Sequence, residues 1–188
     1  RHLWRADRAE FVVAMAALLG VLGSGLLRGV LIGGVIAMIQ LLRRGSQPRV
    51  ASLGRIPGTH RFSDVERNPE NESVPGIMIF RVEASLLYFN VEYVRDSVLD
   101  RVRREPMLPK LVICDLSASP HVDLQSAATL SGLADELAAL GIQIQIVEAR
   151  ASVRDRLRAE GLDAKFGGID RFRSVAQAVE DFQQRQAA

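Results

Sequence analysis

The sequence predicts an α/β body in water, preceded by an apolar helical hairpin. Three observations carry that prediction. Residues 11–42 read "FVVAMAALLGVLGSGLLRGVLIGGVIAMIQLL", with Arg28 as their one charge. Residues 44–75 then turn polar and hold Pro48, Pro57, Pro69 and Pro75. From residue 76 onward, apolar runs of strand type alternate with helical patterns, as in a sheet covered by helices. The formal net charge of +2 over 188 residues gives no case for a nucleic-acid partner. The chain opens on Arg1 and not on Met, so a fragment or processed product is expected.

The first element is the hairpin. A spanning helix takes about 20 apolar residues, so 11–42 is long for one span and short for two. Gly23-Ser24-Gly25 divides the run with turn chemistry, which gives two short transmembrane helices over 9–22 and 25–43. Arg1, Arg5 and Arg8 precede them, and Arg43, Arg44 and Arg49 follow, which puts both ends on the cytoplasmic side. Arg28 then falls near the far interface and Arg43 and Arg44 at the near one, all three as anchors. A signal peptide does not fit, because its apolar core runs only about 7–15 residues. Gly25, Gly29 and Gly33 recur every fourth residue and form a seam where another helix can approach closely. Their expected partners are the rest of a membrane domain and the lipid bilayer.

Residues 1–43 are thus read as membrane helices, 44–75 as a connector and 76–188 as a separate domain. In that domain "GIMIFRVEA" (76–84) and "LLYFN" (86–90) read as strands. Residues 91–105 place Val91, Val94, Val98, Leu99 and Val102 at helical spacing. "KLVICDL" (110–116) has the continuous apolar character of a buried strand. Residues 124–141 form a helix that stops on Gly141, and 142–149 alternate as a strand with one wetter face. Two helices follow, 152–161 and 174–186, the last with Val175, Val179 and Phe182 inward.

Chemistry is sparse. Cys114 sits in an apolar run and reads as a small core residue. His2, His60 and His121 are scattered, so no metal spacing arises, and no cofactor motif is present. His121, Asp123 and Ser126 lie close in sequence but lack the strand–Gly-x-Ser-x-Gly–helix setting of a nucleophile. No enzyme activity is expected. Arg101, Arg103, Arg104, Arg150, Arg154, Arg156 and Arg158 read as solvated helix faces.

"RVEASLLYFN", "LVICDLSASPHVDLQSAATL" and "GIQIQIVEARASVRDRL" resemble the STAS domain, the fold of sulfate transporters and anti-sigma-factor antagonists. "VASLGRIPGTHRFSDVERNPENESVPGIMIF" resembles the passage that joins membrane and STAS domains in sulfate permease (SulP) transporters, and 10–44 resemble their last membrane helices. The resemblance implies a central mixed β-sheet flanked by helices, in the cytoplasm beneath a multi-pass domain of the cytoplasmic membrane. It implies the C-terminal portion of a secondary anion transporter of the sulfate or bicarbonate type, with no transport site in these residues. The STAS part would serve regulation, folding and homodimerisation, with a cytoplasmic regulatory protein or a nucleotide as a further partner. Asp115, Ser117, Asp123, Gln125 and Ser126 form the candidate regulatory loop. Where the antagonist branch carries its phosphorylated Ser, this sequence has Leu124, with Gln125 and Ser126 next. The alternative is a free-standing binding module of that antagonist type. Asn71-Glu72-Ser73 is a formal glycosylation sequon, read as incidental on a cytoplasmic segment.

Overall fold

The computed structural model describes residues 26–187 together with Phe11, Ala14, Met15 and Leu18. The chain divides into two compact units, Arg1–Gln47 and Pro48–Ala188.

In the first unit, α1 spans Leu26–Ser46, close to the expected 25–43. Gly29 and Gly33 are its buried positions, whereas Arg28, Arg43 and Arg44 are exposed. Gly25 and most of the expected 9–22 helix lie outside the described residues, although Phe11, Ala14, Met15 and Leu18 are helical. Among the described residues, no helix is long and apolar enough to cross a membrane. The expected transmembrane hairpin is therefore not supported there. The reason is the spacing of charge: Arg28 and Arg43 enclose fourteen residues, which is about 21 Å of helix against a hydrocarbon core of about 30 Å.

The second unit is built on a five-stranded mixed sheet. Its strands are β1 (Val50–Arg55), β2 (Phe62–Asp64), β3 (Ile77–Val82), β4 (Leu111–Asp115) and β5 (Gln143–Val147), in spatial order β2-β1-β3-β4-β5. β1 runs antiparallel to β2 and β3, and β3, β4 and β5 are parallel. The parallel strands are joined through α2 (Val91–Arg104) and α3 (Leu124–Ala139); α4 (Ala151–Ala159), a 3₁₀ turn (Ala164–Phe166) and α5 (Val175–Ala187) follow.

Alternation along the strands makes two cores. Met78, Phe80, Val112, Cys114, Ile144 and Ile146 pack on one face with the buried side chains of α2, α3 and α4. Ile77, Ile79, Leu111, Ile113 and Val147 pack on the other with Val175, Ala178, Val179 and Phe182 of α5. Strands covered on both faces need apolar residues at every position, which is why "LVIC" reads without alternation. Cys114 is fully buried, and burial pushes its thiol well above the ordinary value, as suits a core residue. Gly141 ends α3 at φ 74°, and the Ile142 N–H reaches back to the Leu137 carbonyl at 2.9 Å.

Five details differ from the sequence reading. The stretch 44–75 is more than a connector, because it supplies β1 and β2; its prolines fall outside both strands. Residues 86–90 form no strand. Leu86 makes a single bridge to Val122, and the buried Asn90 side chain then bends the chain by accepting from Leu87 N–H at 2.9 Å and donating to the Ser85 carbonyl at 3.1 Å. The wetter face of β5 is wet only at Gln143, since Gln145 is buried. Arg101 is no mere solvated side chain: it donates to Ser52 Oγ and to the Val50 carbonyl, fastening α2 to β1. Asn71 is buried and donates to Ser63 Oγ at 2.6 Å and to the Ser63 carbonyl at 3.0 Å, a structural use for the sequon's amide.

Candidate functional site

The candidate loop runs from the end of β4 to the start of α3, at the carboxyl ends of the parallel strands. Parallel pairing places Arg81, the fifth residue of β3, beside Asp115, the last of β4. The two form an ion pair, Arg81 Nε donating to Asp115 Oδ2 at 2.8 Å. Asp115 is almost wholly buried, and its Oδ1 accepts the Ser117 N–H at 2.8 Å, so the carboxylate also starts the loop's turn. Ser119 is buried and donates from Oγ to the Val82 carbonyl at 3.0 Å.

Glu148 stands after β5 with φ 55°, the only described residue other than Gly in the left-handed region. Partial burial, then the nearby Asp115 charge, raises its carboxyl above the usual range, with Arg81 acting against them.

Asp123 is the mechanical centre of the loop. Its Oδ1 accepts the Ser126 N–H at 2.8 Å, which caps α3, and its Oδ2 accepts the Tyr88 N–H at 2.8 Å. Two further bonds run beside these, Leu86 N–H to the His121 carbonyl at 2.9 Å and Asp123 N–H to the Leu86 carbonyl at 3.2 Å. Burial alone would raise the Asp123 carboxyl. The bonds from Ser126 and Tyr88, with His121 nearby, outweigh burial and hold the carboxyl below its usual range. One carboxylate thus locks residues 86–88 to the first turn of α3.

The site residues divide accordingly. Asp115 and Ser117 are joined by one bond, and Asp123 and Ser126 by another. Gln125 is exposed and joins neither. Ser126 is completely buried, and its Oγ makes no well-formed hydrogen bond; His121 is exposed. A buried hydroxyl with an exposed imidazole is not an arrangement for nucleophilic attack. Beside the exposed His121 and Gln125, the loop and the adjoining 86–90 turn present apolar groups: Leu124 is 59% exposed, Tyr88 69% and Phe89 39%, the two rings edge to face at 5.4 Å. Such a surface suits docking more than chemistry.

Arg81, Ser119, Tyr88, Phe89 and Glu148 did not emerge from the sequence as parts of the site. Arg81 left a readable signal, since "IMIFR" and "LVICD" each end four apolar residues with a charge of opposite sign. The other four are placed by loop geometry, for which the residues carry no periodic mark.

Residues 68–178 match the family described as the STAS domain. The chain belongs to that family. Sequence similarity reaches further than the STAS match. A probable sulfate transporter of Mycobacterium tuberculosis is 31% identical over 185 residues, covering 98% of this chain and 33% of that protein. High affinity sulfate transporter 2 of Stylosanthes hamata is 28% identical over 194 residues, covering 99% of this chain and 29% of its own. This STAS chain therefore spans about a third of the transporters it matches. In fold, it resembles the murine Solute Carrier 26 family member A9 anion transporter in the inward-facing state, with TM-score 0.82, 20% identity, and 97% of this chain and 30% of that one covered. It also resembles a SulP transporter STAS domain from Vibrio cholerae, with TM-score 0.52, 14% identity, and 66% of this chain and 94% of that one covered.

Proposed function

We propose that this chain is the C-terminal part of a secondary transporter for sulfate, bicarbonate or a similar small anion, and that its STAS unit helps fold, dimerise and regulate that transporter. One observation carries the reading. α1 exposes nine large apolar side chains between Leu27 and Leu42, seven of them by more than half. A face of that extent needs cover. In this reading the cover is the rest of a membrane domain, with lipid beyond it. Gly29 and Gly33 mark where a neighbouring helix comes close, and Arg28, Arg43 and Arg44 stay toward the interfaces. A helix short of a full span fits a packed membrane body better than it fits an isolated hairpin. The STAS unit then lies in the cytoplasm, and the Asp123 loop offers Leu124, Tyr88 and Phe89 to a regulatory protein or to the transporter itself. The free-standing antagonist reading is weaker, because exposed Leu124 has no hydroxyl to accept phosphate.

Uptake of labelled sulfate and bicarbonate into proteoliposomes tests the proposal. The complete protein should transport, residues 1–188 alone should not, and the complete protein without 76–188 should lose assembly or rate. Unchanged transport and assembly after that deletion would sink the role assigned to the STAS unit. Full solubility of residues 1–188 without detergent would sink the membrane role of α1.

A further inference from the structure

β5 is an end strand of the sheet, with β4 on its inner side. A groove of about 570 Å³ runs beside it. Ala134 and Ala138 line the groove from α3, on one face of the sheet, and Arg185 lines it from α5, on the other. Ile144 and Gln145, whose side chains point to opposite faces, line it as well. A groove bounded from both faces lies along the open edge of the strand, where backbone is presented.

The pairing with β4 identifies the backbone groups concerned. Gln143 N–H donates to the Lys110 carbonyl at 3.0 Å, and Leu116 N–H donates to the Val147 carbonyl at 3.1 Å. Gln143, Gln145 and Val147 therefore face β4, and Ile142, Ile144 and Glu148 turn their N–H and C=O groups outward. Ile142 N–H donates to the Leu137 carbonyl at 2.9 Å, and Glu148 N–H to the Arg173 carbonyl at 3.1 Å. Between those two, the N–H and C=O of Ile144 have no hydrogen-bond partner among the described residues. Edge groups of this kind are a template for another extended chain. An irregular stretch of the protein already takes one rung of the same edge, at Arg173. The length left open, from Gly141 to Gln145, is about 13 Å of strand.

The walls differ in chemistry. Ala134 and Ala138 are small and apolar. Lys165 is paired with Asp135 at 2.8 Å, and Arg173 with Asp181 at 3.0 Å. Arg185 is exposed and gives its Nε to the Asp181 carbonyl at 3.0 Å; its terminal nitrogens stay uncommitted among the described residues.

We infer that the open edge of β5 docks an extended peptide segment of a partner protein, one that alternates apolar and acidic residues. Its backbone supplies the acceptor and donor that Ile144 lacks. Alternation along the added strand turns its apolar side chains toward Ala134 and Ala138 and its carboxylates toward Arg185. A second copy of this chain fits poorly, because two edges recessed between their own helices do not reach the roughly 4.8 Å of strand pairing. The inference is independent of the transporter reading and of the Asp123 loop.

The test uses a blocked hexapeptide of alternating Val and Glu, titrated into the 188-residue chain in mild detergent at constant ionic strength and followed by ¹⁵N NMR. Saturable shifts along β5 are expected, with a Kd of about 1 mM or tighter, and hydrogen exchange at the Ile144 amide should slow. Two versions of the peptide, N-methylated at alternate residues, should part company: one set of amides faces β5 and its loss should weaken binding about tenfold, whereas methylation of the other set should not. A Val-Lys peptide should bind about tenfold more weakly than the Val-Glu peptide, and Arg185→Ala should erase that preference. Ala138→Phe changes an exposed helix position, so the fold should stand, and the ring should fill the groove and weaken binding at least tenfold. No saturable binding up to about 10 mM, equal affinity of the two methylated peptides, an Ile144 amide that stays unprotected, a charge preference that survives Arg185→Ala, or unchanged affinity in Ala138→Phe would each overturn the inference. Protection of Ile144 that grows with protein concentration in the absence of peptide would overturn it in favour of a second copy.

Discussion

Replacing Asp123 by Ala removes two bonds at once, and the structure sets what each contributes. The cap on α3, from Ser126 N–H at 2.8 Å, is worth about 1 kcal/mol. The bond from Tyr88 N–H, also 2.8 Å, ends on a charged acceptor that is only partly buried, so about 1 kcal/mol is the reasonable figure there too. The expected loss is about 2 kcal/mol, or about 4–8 °C in Tm for a unit of this size. Asp123→Ser separates the two, because a serine hydroxyl can cap the helix but is too short to reach Tyr88; about half the loss should return. Urea denaturation at 222 nm measures the totals, and hydrogen exchange at the Tyr88 and Ser126 amides shows which bond is gone. The pH dependence has a definite sign. The folded Asp123 carboxyl lies below its unfolded value, so its contribution is full above the unfolded carboxylate pKa of about 4 and fades as pH falls through the lower folded value. Asp123→Asn should lose that dependence. A loss under about 0.5 kcal/mol for Asp123→Ala, with Tyr88 exchange unchanged, would refute the assignment of Asp123 as the fastening group.

Three further outcomes follow from the same geometry. Arg81→Met leaves Asp115 buried without its cation and should destabilise by about 3 kcal/mol in denaturant melts, whereas the paired change Arg81→Met with Asp115→Leu should recover much of that. Glu148→Gln should stabilise at neutral pH, because the folded carboxyl is held above its usual range; the gain should vanish as pH falls below about 4, where the unfolded carboxyl also protonates. Gly54→Ala would set a Cβ 3.0 Å from Asn71 Cβ and from Val65 Cγ2 and 3.1 Å from the Glu72 carbonyl, at a cost of about 1–3 kcal/mol in the same melts.

The α/β unit was legible wherever burial imposes a period. Val91, Val94, Val98, Leu99 and Val102 are all buried, as helical spacing requires, and Val175, Val179 and Phe182 likewise. Legibility failed where a backbone is shaped by one side chain. "LLYFN" has the composition of a strand, yet a single buried Asn90 folds it into a turn. "VASLGR" was hidden among prolines, though its pairing with β3 depends only on Val50, Ala51 and Ser52 meeting Val82, Arg81 and Phe80. Asp115 and Asp123 were readable as loop residues. Their partners were not, because Arg81 and Tyr88 lie 34 and 35 residues away.

The same two aspartates explain what kind of site this is. Each spends both carboxylate oxygens on internal bonds, Asp115 on Arg81 and Ser117, Asp123 on Tyr88 and Ser126. An acid or base in catalysis needs an oxygen within reach of a substrate proton, and neither aspartate keeps one uncommitted. Their effect is instead to make a loop rigid. A rigid loop that turns Leu124, Tyr88 and Phe89 outward has already met the ordering cost that a flexible one would incur on binding. Regulation by contact, as proposed above, would rest on that arrangement, and substitution of Leu124 by Asp should impair it while leaving the melts of the STAS unit within about 0.5 kcal/mol of wild type. A large stability change in that variant would show that Leu124 is packed and not presented, and the docking argument would fall with it.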